Sequence, residues 1–328
     1  MFGYRKAATE EVPEPTPQSL VGASGKLPSA ADFIQVDAGW REVKALDGII
    51  QTLYFQLPEQ TRLTAFQSLG VLQAASIDRQ GLLALIIPSM DSAGREYPFL
   101  VFNRVTDPEF SYKPDALFVS AMDRLSDLIE APEMLSIERQ SLDVSMLSDL
   151  NRSLSYCDVR IARRQAMQMV ETIRLQAFLQ PLAGDDETSQ RKALSGLIAL
   201  LEVLKTRRLH RVYQGIWLPL PSGVTTAKSL AFWMQLLSAV INDKSWCPDV
   251  FWIDTEQDCR CFILTKPLTA TAMELALHSA DMNTQFLGWT DMAREALVTD
   301  SHQMMASHWL GRKEANLLDL MIDWYQKF

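Results

Sequence analysis

The sequence predicts an α/β protein, α+β-like in its order of elements. It would have two small mixed or antiparallel sheets, each covered by helices, with a helical connecting region and a C-terminal helix. Three observations carry this expectation. Short apolar runs of strand length recur in both halves, each half holds one long stripe of apolar residues at helical spacing, and Pro/Gly-rich turns punctuate the runs. At 328 residues the chain has room for two ordinary domains. The expected division is a flexible tail over 1–22, a first α/β domain over 23–133, and a second over 134–328 that takes in the connector and the C-terminal helices.

The tail carries Glu-Val-Pro-Glu-Pro-Thr-Pro, a Pro/Glu-rich run with little to bury. Gly25 to Phe33 reads as a loop with an embedded Leu27/Phe33 pair. Trp40, Val43, Leu46, Asp47, Ile50 and Leu53 then fall at helical spacing. From Arg62 the pattern turns to strands. Gly81 to Pro88 is a short continuous apolar run, as in a strand buried on both faces, and Tyr97 to Val105 is a second. The turn-rich Met90–Glu96 between them predicts a hairpin with a long tip. Pro114 opens a helix striped by Leu117, Phe118, Ala121, Met122, Leu125, Leu128 and Ile129, stopped at Glu130–Glu133. Two or three helices follow between Ser136 and Arg208, broken at Pro181–Asp186. Strands are expected at Val212–Leu218, Val250–Asp254 and Cys261–Thr265. A helix striped by Leu230, Trp233, Leu237, Val240 and Ile241 lies between the first two, another opens at Pro267, and an amphipathic helix holds Leu317 to Tyr325.

Composition narrows the function classes. A net charge of −9 removes any global attraction for nucleic acid or anionic lipid. No apolar run reaches membrane-span length and the N-terminal residues lack a signal-peptide core, so a cytoplasmic protein without membrane insertion is expected. Cys157, Cys247, Cys259 and Cys261 fit ordinary reduced residues, since the one close pair is C-x-C on a strand and neither a zinc knuckle nor a redox pair.

Catalytic patterns fail on spacing. Gly22-Ala-Ser-Gly25-Lys26 lacks the glycine spacing and Ser/Thr of a phosphate loop. His210, His278, His302 and His308 form no i, i+4 chelating pair and read as surface or capping residues. No G-x-S-x-G elbow occurs. Basic clusters stand at Arg160/Arg163/Arg164 and Lys205/Arg207/Arg208/His210/Arg211; the second fits the end of a helix or a docking patch for an acidic partner. No catalytic residue, metal ligand or cofactor is expected. The candidate binding residues are Lys26, Asp32, Ser89, Asp91 and Arg95, two charged loop clusters flanking the apolar hairpin. They read as a structural brace or as partner contacts, with Asp91 and Arg95 expected within salt-bridge reach across a Ser-Ala-Gly turn.

These clusters also carry a family resemblance. Gly25-Lys26-Leu27-Pro28-Ser29-Ala30-Ala31-Asp32-Phe33 resembles the G-K-x-P-x-x-G-D-F signature of TagF proteins, and Pro88-Ser89-Met90-Asp91-Ser92-Ala93-Gly94-Arg95-Glu96-Tyr97-Pro98 resembles their P-S-x-D-x-x-G-R-x-[FY]-P hairpin. Leu218–Pro221, Ala231–Trp233 and Phe251-Trp252 resemble, more loosely, the second half of longer members. Ala31 stands where the family has glycine, so the loop there need not take a positive φ, and Leu63–Asp78 lacks the usual tryptophan. The resemblance implies an α/β first domain. It also implies a non-enzymatic regulator of type VI secretion, a post-translational repressor of assembly that binds secretion-system proteins such as a forkhead-associated, Fha-like scaffold. Some relatives are fused to a PppA-type phosphatase, and no such module is visible here. An enzyme using Lys26, Asp32, Asp91 and Arg95, or an adaptor for a secreted effector, are the alternatives.

Overall fold

The computed structural model describes residues 20–73, 81–106, 108–111, 113–131, 144–206, 213–243, 246–256, 258–277, 285–292, 298–312 and 314–327. Its strands are β1 (Val21–Gly25), β2 (Ile34–Val36), β3 (Leu69–Gln73), β4 (Gly81–Ile87), β5 (Phe99–Val105), β6 (Gly215–Pro219), β7 (Val250–Asp254), β8 (Cys259–Leu264) and β9 (Phe286–Gly288). They form one sheet in the order β2-β1-β5-β4-β3-β7-β8-β6-β9, antiparallel except for the β6–β9 pair.

The α/β class therefore stands, but the expectation of two separate sheets is corrected. Leu69–Leu72 of β3 pairs antiparallel with Val250–Ile253 of β7 and fuses the two groups of strands. All four positions on each side are buried, and a buried strand edge cannot leave its N–H and C=O groups unpaired. Gly70 lies opposite Trp252 at this seam, and a Cβ on it would overlap the indole. Periodicity within each strand cannot announce a partner so far away in sequence.

The alternation of each strand sends its apolar residues to two layers. One face packs on α1 (Arg41–Gln56) and α10 (Ala270–Leu277), through Leu46, Ile50 and Leu53 from the first and Met273 and Ala276 from the second. The other face carries the remaining helices. The expected helix at Pro114 is α2–α4 in part: α2 is Pro108–Ser111, α3 Pro114–Leu117 and α4 Asp123–Glu130, with a π-turn over Phe118–Met122 joining the last two. Four helices follow in the described connector where two or three were expected: α5 (Val144–Ser155), α6 (Val159–Thr172), α7 (Leu175–Ala183) and α8 (Glu187–Thr206). Pro181 sits inside α7, and the break falls at Gly184, whose φ of 68° suits glycine.

The striped helix of the second half is α9 (Thr226–Ile241), capped by the Thr225 hydroxyl at the Lys228 N–H and ended by Asn242 in the left-handed region. The C-terminal helices are α11 (Trp289–Met292), α12 (Asp300–Leu310) and α13 (Leu317–Lys327). β1 begins at Val21, inside the stretch assigned to the tail, and β1, β2 and β9 are strands the sequence pattern did not separate from loop. Glu133, His210, His278, Arg207, Arg208 and Arg211 lie outside the described residues.

Candidate functional site

The β4–β5 hairpin projects its tip, Pro88 to Pro98, beyond the sheet, beside the loop that leaves β1. Gly25 makes the junction possible. Its φ is 129°, and a side chain there would collide with the Pro98 carbonyl. At the tip Asp91 is folded inward, its side chain fully buried. Its Oδ1 accepts from the N–H groups of Ala93 at 3.0 Å and Arg95 at 2.9 Å. Its Oδ2 accepts from Arg95 Nε at 2.7 Å and meets Lys26 Nζ at 3.1 Å. The expected Asp91–Arg95 pair is thus present, with Lys26 as a third member. Burial pushes the Asp91 carboxyl up, but the Arg95 N–H, the Lys26 ammonium, the Arg95 guanidinium and the Ala93 N–H outweigh it and bring it down to about 2.

The same atoms tie the two loops together. Lys26 Nζ also donates to the Arg95 carbonyl at 3.2 Å and lies 5.4 Å over the Phe33 ring. Arg95 Nη2 donates to the Ala31 carbonyl at 2.6 Å, and the Ser92 N–H donates to the Ala30 carbonyl at 2.8 Å. Ser89 is buried and contributes its carbonyl, which accepts from the Tyr97 N–H at 3.0 Å. Asp32 stands apart: it is exposed, and its Oδ1 accepts from the Phe33 N–H at 2.9 Å. Four of the five candidate residues therefore converge, and Asp32 does not join them. Ala31 keeps out of the left-handed region, since the positive φ angles of described non-glycine residues fall at Asp37, Ser68 and Asn242.

An aromatic run that the sequence reading missed supports the tip from below. Phe33 packs edge-on to Tyr97 at 5.0 Å, Tyr97 meets Tyr54 at 5.4 Å, and Tyr54 meets Phe55 at 5.5 Å. Asp47, the polar residue in the apolar stripe of α1, accepts from the Tyr97 hydroxyl at 3.2 Å. Burial raises the Asp47 carboxyl above its usual range and Tyr97 above the ordinary phenol value. The outer surface of this end is apolar and open, with Phe33 47%, Met90 42% and Phe55 65% exposed.

Chemically, the cluster is self-satisfied. Both Asp91 oxygens are occupied by donors and shielded from solvent, and Lys26 is buried against them, so neither faces a substrate in this arrangement. A cleft of about 380 Å³ lies where β3 and β7 meet, lined by Asp123, Glu130, Thr226 and Asp254 beside Met122 and Trp252. Within it the Thr226 hydroxyl donates to the Asp254 carboxylate, and no described histidine or lysine joins them in the lining. Among the described residues no group of three or more His, Cys, Asp or Glu is placed to hold a metal ion. His302 is a buried cap: its Nδ1 accepts from the Thr299 N–H at 3.1 Å, so its Nε2 carries the proton that meets Glu202 at 2.6 Å. His308 is exposed. The four cysteines are free thiols, and burial and the neighbouring Asp254 push Cys259 up to about 11.

This fold and hairpin define an α/β protein whose candidate site is a braced loop surface. Residues 22–149 match the model of the TagF N-terminal domain, Type VI secretion system-associated. Both motifs that suggested the resemblance fall within it. None of the curated proteins matches the chain. Among solved structures, the crystal structure of PA0076 from Pseudomonas aeruginosa PAO1 is similar at 13% identity, over 78% of this chain and 93% of that one, with a TM-score of 0.39. No described helix is long and apolar enough to cross a membrane.

Proposed function

We propose that the chain is a cytoplasmic, non-enzymatic regulator of type VI secretion. It represses assembly after translation by binding a component of the apparatus or its scaffold, such as a forkhead-associated, Fha-like protein. The observation that carries this reading is the hairpin tip within the stretch that matches the TagF N-terminal domain, held by the buried Lys26–Asp91 pair with the exposed Arg95 and flanked by exposed Phe33 and Met90. A loop ordered before binding loses less entropy on docking, and exposed aromatic, Met and Arg side chains are what interface centres favour. The alternative of a polar-site enzyme fits less well, because its acid and its amine are already spent on each other.

The test is the dissociation constant between the full chain and the Fha-like scaffold of its own host. Met90→Asp should weaken binding about tenfold or more, the scale of losing an interface hot spot, while the melting temperature stays close to that of the parent. Equal affinity in a folded variant would remove the hairpin surface from the contact, and a parent chain that binds no secretion component would end the reading.

A further inference from the structure

The outer face of α6 is cationic in a chain of net charge −9. The helix buries Val159, Ala162, Ala166 and Val170, so Arg160, Ile161, Arg164 and Met167 turn to the opposite side. All four are exposed, Ile161 to 56% and Met167 to 44%, and Tyr156 just before the helix to 84%. α13 packs beside α6 and exposes Ile322 and Tyr325 as well. Five of the nine large hydrophobic side chains exposed among the described residues thus stand on this pair of helices or at its entry, away from the three at the hairpin end.

The fold itself does not account for the arginines. Asp158, the acid at the start of the helix, is occupied as the N-cap by the N–H groups of Arg160 and Ile161. Arg163 opposes the burial-driven rise of the Asp115 carboxyl. Arg160 and Arg164 have no acid one turn away, since the positions three and four residues off hold Tyr156, Cys157, Ile161, Met167, Gln168 and arginine. Among the described residues, no ion pair or hydrogen bond engages either guanidinium. Their placement works against the helix: a cation in the first turn opposes the helix dipole, and like charges one turn apart repel. Such a pair calls for a counter-charge from outside the chain.

We propose that the outer face of α6 is a second docking surface, separate from the hairpin tip, and that it takes an acidic amphipathic helix of a partner protein. Charge complementarity chooses the occupant. Arg160 and Arg164 lie about 6 Å apart along the helix axis, so two carboxylates one turn apart on a facing helix match both in charge-assisted pairs. The partner's apolar stripe covers Ile161 and Met167, which a sugar–phosphate backbone cannot do. A chain of net charge −9 repels an extended polyanion or an anionic membrane at long range, whereas a short acidic helix meets only the local field of the arginines, within a Debye length. α6 lies beyond residues 22–149, so this contact is made outside the stretch that matches the family model.

Fluorescence anisotropy on the full chain reads this with a labelled synthetic peptide of about sixteen residues, long enough to hold a helix, bearing a leucine stripe flanked by glutamates one turn apart. The parent chain should bind it saturably. Arg160→Glu with Arg164→Glu should weaken binding about tenfold or more, and Ile161→Ser, which touches only the apolar half, about fivefold. Arg160→Lys with Arg164→Lys, which keeps both charges, should stay within about threefold of the parent. The same peptide with glutamine for glutamate should bind the parent at least about tenfold more weakly, and Met90→Asp at the hairpin tip should leave binding unchanged. No saturable binding by the parent would overturn the proposal, as would equal binding by the folded charge-reversed chain or a loss in Met90→Asp. Tighter binding of a DNA duplex or of phosphatidylglycerol vesicles through the same two arginines would overturn it as well, and so would self-association of the parent that the charge reversal abolishes, since that would put a second copy on the face.

Discussion

The β4–β5 hairpin crosses through eleven residues, Pro88 to Pro98, whereas the β7–β8 hairpin turns in four, Thr255 to Asp258. The short turn closes on itself: the Thr255 N–H and hydroxyl donate to the Asp258 carbonyl, and the Asp258 N–H donates to the Thr255 hydroxyl at 3.0 Å. The Asp258–Arg260 ion pair beside it sits at the rim, with side chains 34% and 14% exposed. The long tip closes on its own backbone only in part, through the Asp91 N–H to the Arg95 carbonyl at 3.1 Å and the Gly94 N–H to the Asp91 carbonyl at 2.9 Å. The N–H groups of Ala93 and Arg95 face inward and need an acceptor, and a neighbouring loop must be held at a fixed distance. A single buried carboxylate does both and takes Lys26 as its counter-charge. The difference teaches where a buried charge is needed: at the loop with orphan donors and a second loop to anchor, not at the turn that satisfies its own backbone.

The largest effect in this comparison should come from Asp91→Asn. It keeps the shape but leaves Lys26 buried without its counter-charge, and removing one partner of a buried pair is the costly operation. We expect it to give the lowest melting temperature of the single substitutions discussed, with part of the loss recovered when Lys26→Met is added. A double variant no better than the sum of the two would show that Lys26 and Asp91 are not coupled.

The same carboxylate gives an acid-pH effect of intermediate size. Asp91 titrates near 2 in the folded chain and near 3.8 when unfolded. A depressed carboxyl stabilises the fold above its unfolded value and loses that contribution as pH falls through the folded one. The gap in melting temperature between the parent chain and Asp91→Asn should thus be full at pH 5 and shrink between about pH 4 and pH 2. A gap that is constant across this window would mean that the charge of Asp91 is not what holds the tip.

Much of this was legible in the sequence because it is local. The apolar runs at Gly81–Ile87 and Phe99–Val105, the stripe of α1 and the Asp91–Arg95 turn are all patterns within a dozen residues. What escaped depends on distance. The β3–β7 seam joins strands nearly two hundred positions apart, and nothing in either run marks the other as partner. β2 and β9 have three residues each, too few for a period to register. Asp32 reads with the hairpin residues because both are charged loop positions flanking the apolar hairpin, yet its carboxylate turns back on the Phe33 N–H. Lys26 was singled out, but only the fold reveals that it shares Asp91 with Arg95. Tyr54 lies outside the stripe read for α1, and its place in the aromatic run appears only once Tyr97 is brought over it.

The smallest effect belongs to the short turn. Arg260→Ala removes the pair with Asp258 and the guanidinium contacts over the rings of Trp217, at 6.0 Å, and Phe262, at 5.5 Å. A rim ion pair contributes about 1 kcal/mol or less, and a partly exposed cation–π contact adds about 0.5–1 kcal/mol. The backbone bonds between Thr255 and Asp258 are untouched by the change, so the turn should keep its form. Equilibrium denaturation should therefore place Arg260→Ala about 1–2 kcal/mol below the parent. Part of that difference should fade in high salt, because only the ion-pair share is screened. The contrast with Asp91→Asn, whose pair is shielded from solvent and should respond little to salt, is the sharpest form of the comparison. Should Arg260→Ala cost as much as Asp91→Asn and show no salt dependence, the distinction between a rim pair and a buried brace would not survive.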